Sequence, residues 1–349
     1  MSTTLSHKNK IVIASAGSGK TTFIVNEALK LPDKKILITT YTNENLEQIR
    51  GFFIKKIGHV PKNVTILSWY TFLFQDGVHP YQNIIIEQRI NGIIFSNLPN
   101  YVKYSRKEHA KTYFVSENND IFRDRVSEFV VHVDDMSSGL VIHRLQKNYD
   151  FVFVDELQDL SGYDLNIMEK LFNSNIFITA VGDPRQSTFS TNNSSKNRKF
   201  KRGGIFYWAK ELEKKKLISL EEKCECHRCN QKICDFADAL FPNMPKTTST
   251  NIEITGHDGI FNIAGKDVLS YVEKFKPAIL KYRIDSDSMG LRAINIGVSK
   301  GLTYDRVLIF PTKPMLTYLS TNDISKAGDI PKLYVAVTRA KYSVVFVID

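Results

Sequence analysis

IVIASAGSGKTT (residues 11–22) decides the fold. A β-branched run, IVIAS, leads into a turn carrying Gly17 and Gly19, and a helical stretch (20–30) follows. Between a strand and a helix, such a turn is a phosphate cradle, because small residues let backbone N–H groups close around phosphates. The cradle residues are Ala16, Gly17, Ser18, Gly19, Lys20, Thr21 and Thr22. Lys20 reaches the β- and γ-phosphates, and Thr21 offers a hydroxyl to Mg²⁺. Ala14 stands where the motif usually has Gly.

The second decisive stretch is FVFVDELQDL (151–160). Four apolar residues run straight into Asp155 and Glu156, at the strand end where open α/β sheets place their chemistry. Asp155 is the candidate Mg²⁺ ligand, and Glu156 the candidate base that orients and deprotonates water. Around these two stretches, short β-branched runs alternate with amphipathic ones. KILITT (35–40), VTILS (64–68) and IFITAVG (176–182) are further strands, and helices fit 43–57 and 164–172. This rhythm predicts an α/β chain with parallel sheets. Residues 76–145 break it and read as a short, mostly helical insertion. The rhythm resumes near 217 with LISL (217–220), AILKYR (278–283), AINIG (293–297), RVLIF (306–310) and SVVFVI (343–348), and helices fit 230–240, 266–275 and 331–340. The expected domains are 1–215 and 216–349. The stretch 190–204 reads as an exposed basic loop.

The chain has 349 residues, enough for two domains. Its 42% hydrophobic and 24% charged content excludes disorder as the main state. No apolar run approaches bilayer length, and MSTTLSHKNK has no apolar core, so a cytoplasmic protein without a membrane partner is expected. A net charge of +10 favours polyanions such as nucleic acid. All four cysteines fall within Cys224–Cys234, unlike a secreted disulfide framework. With His227 they offer enough ligands for Zn²⁺. Their C-x-C-x₂-C-x₄-C spacing is not a usual zinc pattern, so ordinary thiols are the preferred reading.

In addition to these two motifs, the chain resembles the UvrD/Rep type of superfamily 1 helicases and translocases. TYTNENLEQIR (40–50), VDELQDL (154–160), AVGDPRQSTF (180–189), HRCNQKI (227–233), SKGLTYDRVLIF (299–310) and YVAVTRAK (334–341) resemble further family motifs, in the family's order. The resemblance implies two RecA-like domains with ATP and Mg²⁺ between them. It implies Gln186 as γ-phosphate sensor, Arg228 and Gly301 as nucleotide contacts, and Arg339 as arginine finger. Lys20, Glu156, Gln186, Arg228 and Arg339 form the implied catalytic set. On the DNA side it implies Thr42, Asn43 and Lys300. Trp69 and Tyr70, in ILSWYTFLF (66–74), are candidate base-stacking aromatics, and Lys199 and Arg202 are candidate phosphate contacts of the basic loop.

The implied activity is ATP-driven translocation on single-stranded DNA, 3′ to 5′, with or without unwinding. The large accessory insertion of the second domain is expected to be missing. Ten residues precede the first strand and none is Gln, so the family's adenine-reading motif is expected to be missing; Thr303 stands where the fifth motif usually has Glu. The compact form also resembles the helicase-like subunits of bacterial anti-phage systems of the Gabija type. That gives a second reading, a regulatory ATPase that senses nucleotide or DNA ends and works with a separately encoded nuclease.

Overall fold

The computed structural model describes residues 8–348. The chain divides into two compact units. Of the described residues, the first holds 8–12, Thr21–Gly182 and Phe189–Glu221, and the second holds Ile13–Lys20, Asp183–Thr188 and 222–348.

The first unit is built on a six-stranded sheet ordered Val64–Ser68, Ile36–Thr40, Phe151–Val154, Phe177–Gly182, Lys10–Ala14, Ser219–Lys223. Its first four strands pair in parallel. Ile36, Leu37 and Ile38 are fully buried, as are Phe151 to Val154, which is why these strands read as unbroken apolar runs. Helices Lys20–Leu29, Asn43–Ile57 and Tyr163–Phe172 lie where the periodicity put them. The second of these starts on Thr42, whose Oγ1 accepts from Asn45 N, and stops at Gly58 in the left-handed region. Residues 76–145 are less helical than expected: the long helices are Val126–Met136 and Leu140–Asn148, while 85–99 and 115–122 hold only turns and one small parallel pair, Ile93–Ile94 against Ile121–Phe122.

Two expectations change here. LISL does not open the second unit: the strand is Ser219–Lys223, it lies at an edge of the first sheet, and Ser219 N donates to Asn9 O. An edge strand needs little apolar content on its open side, so the hydrophobic quartet was a poor guide to its partners. The loop at 190–204 is not wholly exposed either. Thr191, Asn192 and Phe200 are buried, and two short 3₁₀ turns, Arg198–Phe200 and Arg202–Gly204, interrupt it.

The second unit carries a five-stranded parallel sheet ordered Gly259–Ala264, Ala340–Ile348, Tyr304–Phe310, Ala278–Lys281, Ile294–Asn295. Alternation along its strands sorts two cores. Val307, Ile309, Val344 and Phe346 pack towards helices Gln231–Ala239, Lys313–Thr321 and Ile330–Val337. Leu308, Val345 and Val347 face the opposite way, onto Val268 and Tyr271 of helix Val268–Phe275. Both faces of the sheet are therefore covered, and each fully buried side chain of this size contributes about 1.5–3 kcal/mol. Among the described residues no helix is long and apolar enough to cross a membrane.

Candidate nucleotide site and nucleic-acid surface

The cradle is formed by its backbone. Gly17 and Gly19 both take φ near +75°, which turns successive N–H groups the same way. In the second unit, Gly17 packs against the segment that carries Arg228. A Cβ on Gly17 would lie 2.7 Å from Arg228 Cβ and 2.8 Å from Cys226 Sγ. His227 N donates to Gly17 O at 2.9 Å, and Ser15 N to Lys223 O at 3.0 Å. Gly17→Ala therefore faces a strained backbone angle and an overpacked contact, at a cost of about 1–3 kcal/mol. The expected result is a clearly lower melting temperature and weaker nucleotide binding; an unchanged melting curve would show that the contact yields freely.

Lys20 Nζ donates to Ser15 O at 3.2 Å and Ala14 O at 3.4 Å, both in its own loop. Ser18 Oγ is buried and has no hydrogen-bond partner. A cradle of turned amides with an orphaned hydroxyl and a lysine at its mouth fits a polyphosphate. Asp183, fully buried in the same unit, feels Lys20 as well as Arg185. Burial pushes its carboxyl up, but those two cations and hydrogen bonds from Gln186 and Arg185 outweigh it and hold it below the usual range. Gln186 Nε2 donates to Asp183 Oδ2 at 3.0 Å, and Arg339 Nη2 donates to Gln186 Oε1 at 3.4 Å. Arg228 Nη1 donates to the Thr338 carbonyl, next to Arg339, at 3.1 Å. The second unit thus gathers the cradle through Lys20 with Gln186, Arg228 and Arg339. Gly301 takes φ +87° in the tight turn 299–302, and Lys300 beside it is half-buried.

In the first unit, Thr21 and Thr22 sit in the first turn of helix Lys20–Leu29. Thr21 Oγ1 donates to Asp155 Oδ2 at 3.2 Å. A hydroxyl and a carboxylate oxygen this close fit Mg²⁺, which takes few protein ligands and fills its shell with phosphate and water. Glu156 follows Asp155 in a left-handed backbone conformation, φ 57° and ψ 43°, uncommon for a residue with a Cβ. Glu156 N donates to Asp155 Oδ1 at 2.9 Å, and Gln158 Nε2 donates to Glu156 Oε2. The strain turns Glu156 out of the strand line while its neighbours hold the carboxylate.

The expected nucleic-acid contacts fare unevenly. Thr42 caps its helix and Asn43 is exposed on the first turn. Trp69 and Tyr70 are only 1% and 3% exposed, so neither offers a face to a base, contrary to the reading from sequence. Trp69 Nε1 donates to Asp164 Oδ1 at 2.7 Å, and Tyr70 OH donates to the Thr191 carbonyl. Polar partners far along the chain drew both rings inside. Lys199 and Arg202 are exposed, with Lys199 Nζ paired to Glu211 at 3.1 Å.

The profile for an AAA domain matches residues 1–192, and that for the viral superfamily 1 RNA helicase core domain matches 108–348. The chain belongs to the superfamily 1 helicases. It is 22% identical over 333 residues to the ATP-dependent DNA helicase Rep of Buchnera aphidicola subsp. Schizaphis graminum (strain Sg), covering 77% of this chain and 48% of that protein. It thus spans about half the length of that relative. The arterivirus nonstructural protein 10 helicase superposes with a TM-score of 0.51 at 16% identity, over 97% of this chain and 59% of that one. The same helicase with DNA gives 0.50 at 16% identity, over 97% and 61%. This likeness is one of fold: α/β with parallel sheets.

Two further side chains bond to Asp183 that the motif reading did not single out. Tyr334 opens the quoted YVAVTRAK, yet its role is visible only in three dimensions. It is fully buried, its OH donates to Asp183 Oδ2 at 3.0 Å, and it accepts from Ala16 N at 3.3 Å. Burial and Asp183 push its phenol well above the ordinary range. Arg185, also buried, ion-pairs with Asp183 at 2.8 Å and Asp238 at 3.2 Å. The cysteines are free thiols. Cys226, Cys229 and Cys234 are buried in the apolar core, and no metal-holding cluster of His, Cys, Asp or Glu occurs among the described residues.

Proposed function

We propose that this superfamily 1 helicase is a nucleic-acid-dependent ATPase that translocates on single-stranded DNA, 3′ to 5′, and that residues of both units act on one nucleotide. The single observation that carries the reading is the set around Asp183 and Gln186. Asp183 feels Lys20 and accepts from Gln186, Gln186 accepts from Arg339, and Arg228 reaches the carbonyl next to Arg339; this supports more than simple phosphate binding. The nucleotide and Mg²⁺ supply the phosphoryl group and its charge neutralisation when bound. The chain's own residues do the rest. The turned amides of Ala16 to Gly19 and the Lys20 ammonium bind and orient phosphates, and Thr21 and Asp155 orient the ion. Glu156 takes a proton at its carboxylate. Gln186 and Arg339 respond to charge at the terminal phosphate.

Motion follows only if contacts differ between nucleotide states. The hydrogen bond from Arg339 to Gln186 and that from Tyr334 to Asp183 are two contacts that a terminal phosphate would compete with or replace. The test is steady-state ATP hydrolysis with and without single-stranded DNA, RNA and duplex. Stimulation by single-stranded DNA is expected, abolished in Lys20→Ala. DNA affinity should fall with salt, with a log–log slope of roughly −0.7 per phosphate contacted. Fast hydrolysis indifferent to every nucleic acid would overturn the motor reading.

A further inference from the structure

A second concavity lies wholly within the first unit, with a volume of about 720 Å³, and shares no residue with the nucleotide site. Its walls come from the insertion, from the start of helix Tyr163–Phe172 and from the loop 193–196. Lys103, Lys107, Arg125 and Lys196 line it, against Asp124 and Glu128.

The two carboxylates are already engaged. Glu128, 2% exposed, pairs with Lys107 Nζ at 2.5 Å and Arg125 Nη1 at 3.0 Å, and Tyr113 OH donates to it at 2.9 Å. Those bonds hold its carboxyl below the usual range despite burial. Asp124 pairs with Arg123 at 3.0 Å and accepts from Asn193 Nδ2 at 3.0 Å. One carboxylate thus answers two cations, while Lys103 and Lys196 have no carboxylate partner among the described residues. Lys196 and Lys107 stand 5.9 Å and 5.6 Å from the centre of the Tyr163 ring. The cavity is built to take negative charge.

Its walls are also fixed. Asp164, next to Tyr163, is fully buried and accepts from Trp69 Nε1, Ser127 Oγ, Thr191 Oγ1 and Asn192 Nδ2. Ser127 precedes Glu128 and Asn192 precedes Asn193, so one carboxylate ties three walls together. Two residues before the rim residue Asn97 stands Phe95, 57% exposed and held edge-on by Tyr70 at 5.4 Å. An exposed ring braced by a buried one is a ready stacking face. A mononucleotide or free phosphate would use the cations but not Phe95; a strand uses both.

We infer that this cavity is a phosphate subsite for single-stranded nucleic acid, with Lys103, Lys107 and Lys196 on the backbone and Phe95 on a base. The inference rests on the proposed function and extends it to residues outside the family motifs. The test is the binding of fluorescein-labelled oligothymidylate, read by anisotropy over a range of salt, for wild type, Lys103→Ala/Lys196→Ala, Lys103→Arg/Lys196→Arg and Phe95→Ala. The alanine pair should shrink the salt slope by about 1.4, at roughly 0.7 per lost contact, and the arginine pair should restore it. Phe95→Ala should weaken binding about tenfold with the slope kept. Melting temperatures check folding. Wild-type affinity and slope in the alanine pair, beside DNA-stimulated hydrolysis in wild type, would overturn the subsite and leave the proposed function standing. Absence of any wild-type DNA binding would overturn both. ATP bound by Lys20→Ala but lost with the two lysines would make this a mononucleotide pocket and overturn the inference.

Discussion

Glu156→Gln is expected to lower ATP turnover by about 10²–10⁴-fold while nucleotide binding survives. The substitution keeps the shape of the side chain and removes its charge and its capacity to take a proton. Its surroundings make this a clean test. The backbone angles of Glu156 are set by the hydrogen bond from its N–H to Asp155 Oδ1 and by the bond from Asp159 N to its own carbonyl. Neither involves the side chain. Gln158 Nε2, which donates to Glu156 Oε2, can donate equally to an amide oxygen. The local fold should therefore hold, and the loss should fall on kcat. Fluorescent-nucleotide titration and single-turnover hydrolysis separate the two. Turnover within a few-fold of wild type would remove Glu156 from the chemistry and leave its strained backbone without a catalytic purpose.

What was readable in the sequence was what chemistry forces into a local pattern. The cradle is local: strand, small residues, Lys20 and Thr21 must follow one another for amides to converge. The Asp155–Glu156 pair is local too, because a strand must deliver it. What was not readable depends on distant partners. Trp69 looked like a stacking platform because aromatics after a strand often are; its burial is decided by Asp164, 95 residues later. Thr191 and Asn192 looked exposed because they open a polar, basic stretch, and the same carboxylate draws them in. Nothing in LISL says that its strand pairs with the first sheet. Composition could not reveal that Ile13–Lys20 and Asp183–Thr188 pack within the second unit, because contact with Cys226, Arg228 and Tyr334 is long-range. Cys226, Cys229 and Cys234 offered ligand types by spacing alone, and spacing did not show that they are buried among Ile233, Ala336 and Val337.

Arg339 carries the other large effect, and here the structure revises what a surface arginine finger would do. From the motif alone, Arg339→Ala should cost rate and spare the fold. Yet Arg339 is 1% exposed. Its Nε donates to the Val335 carbonyl at 3.0 Å, Nη1 to the Leu302 carbonyl at 3.2 Å, and Nη2 to Thr338 Oγ1 at 3.3 Å as well as to Gln186. It therefore ties helix Ile330–Val337 to the turn that holds Lys300 and Gly301. Truncation takes the donor from the Leu302 carbonyl and one of two from the Val335 carbonyl, which keeps Thr338 Oγ1, and it leaves a cavity behind, a loss of about 1–3 kcal/mol. Arg339→Ala should therefore lower the melting temperature by several degrees as well as lower turnover by about 10³–10⁵-fold. Arg339→Lys separates the two effects. A lysine keeps the charge and one or two bonds, so most of the stability should return. It cannot reach Gln186 and the Leu302 carbonyl together, as the planar guanidinium does, so turnover should stay low. If Arg339→Lys recovered both stability and turnover, a single positive charge would be sufficient and the forked contact to Gln186 would have no catalytic part. If it recovered neither, the residue would be a structural tie, and charge development at the terminal phosphate would have to be met by Lys20 and Arg228.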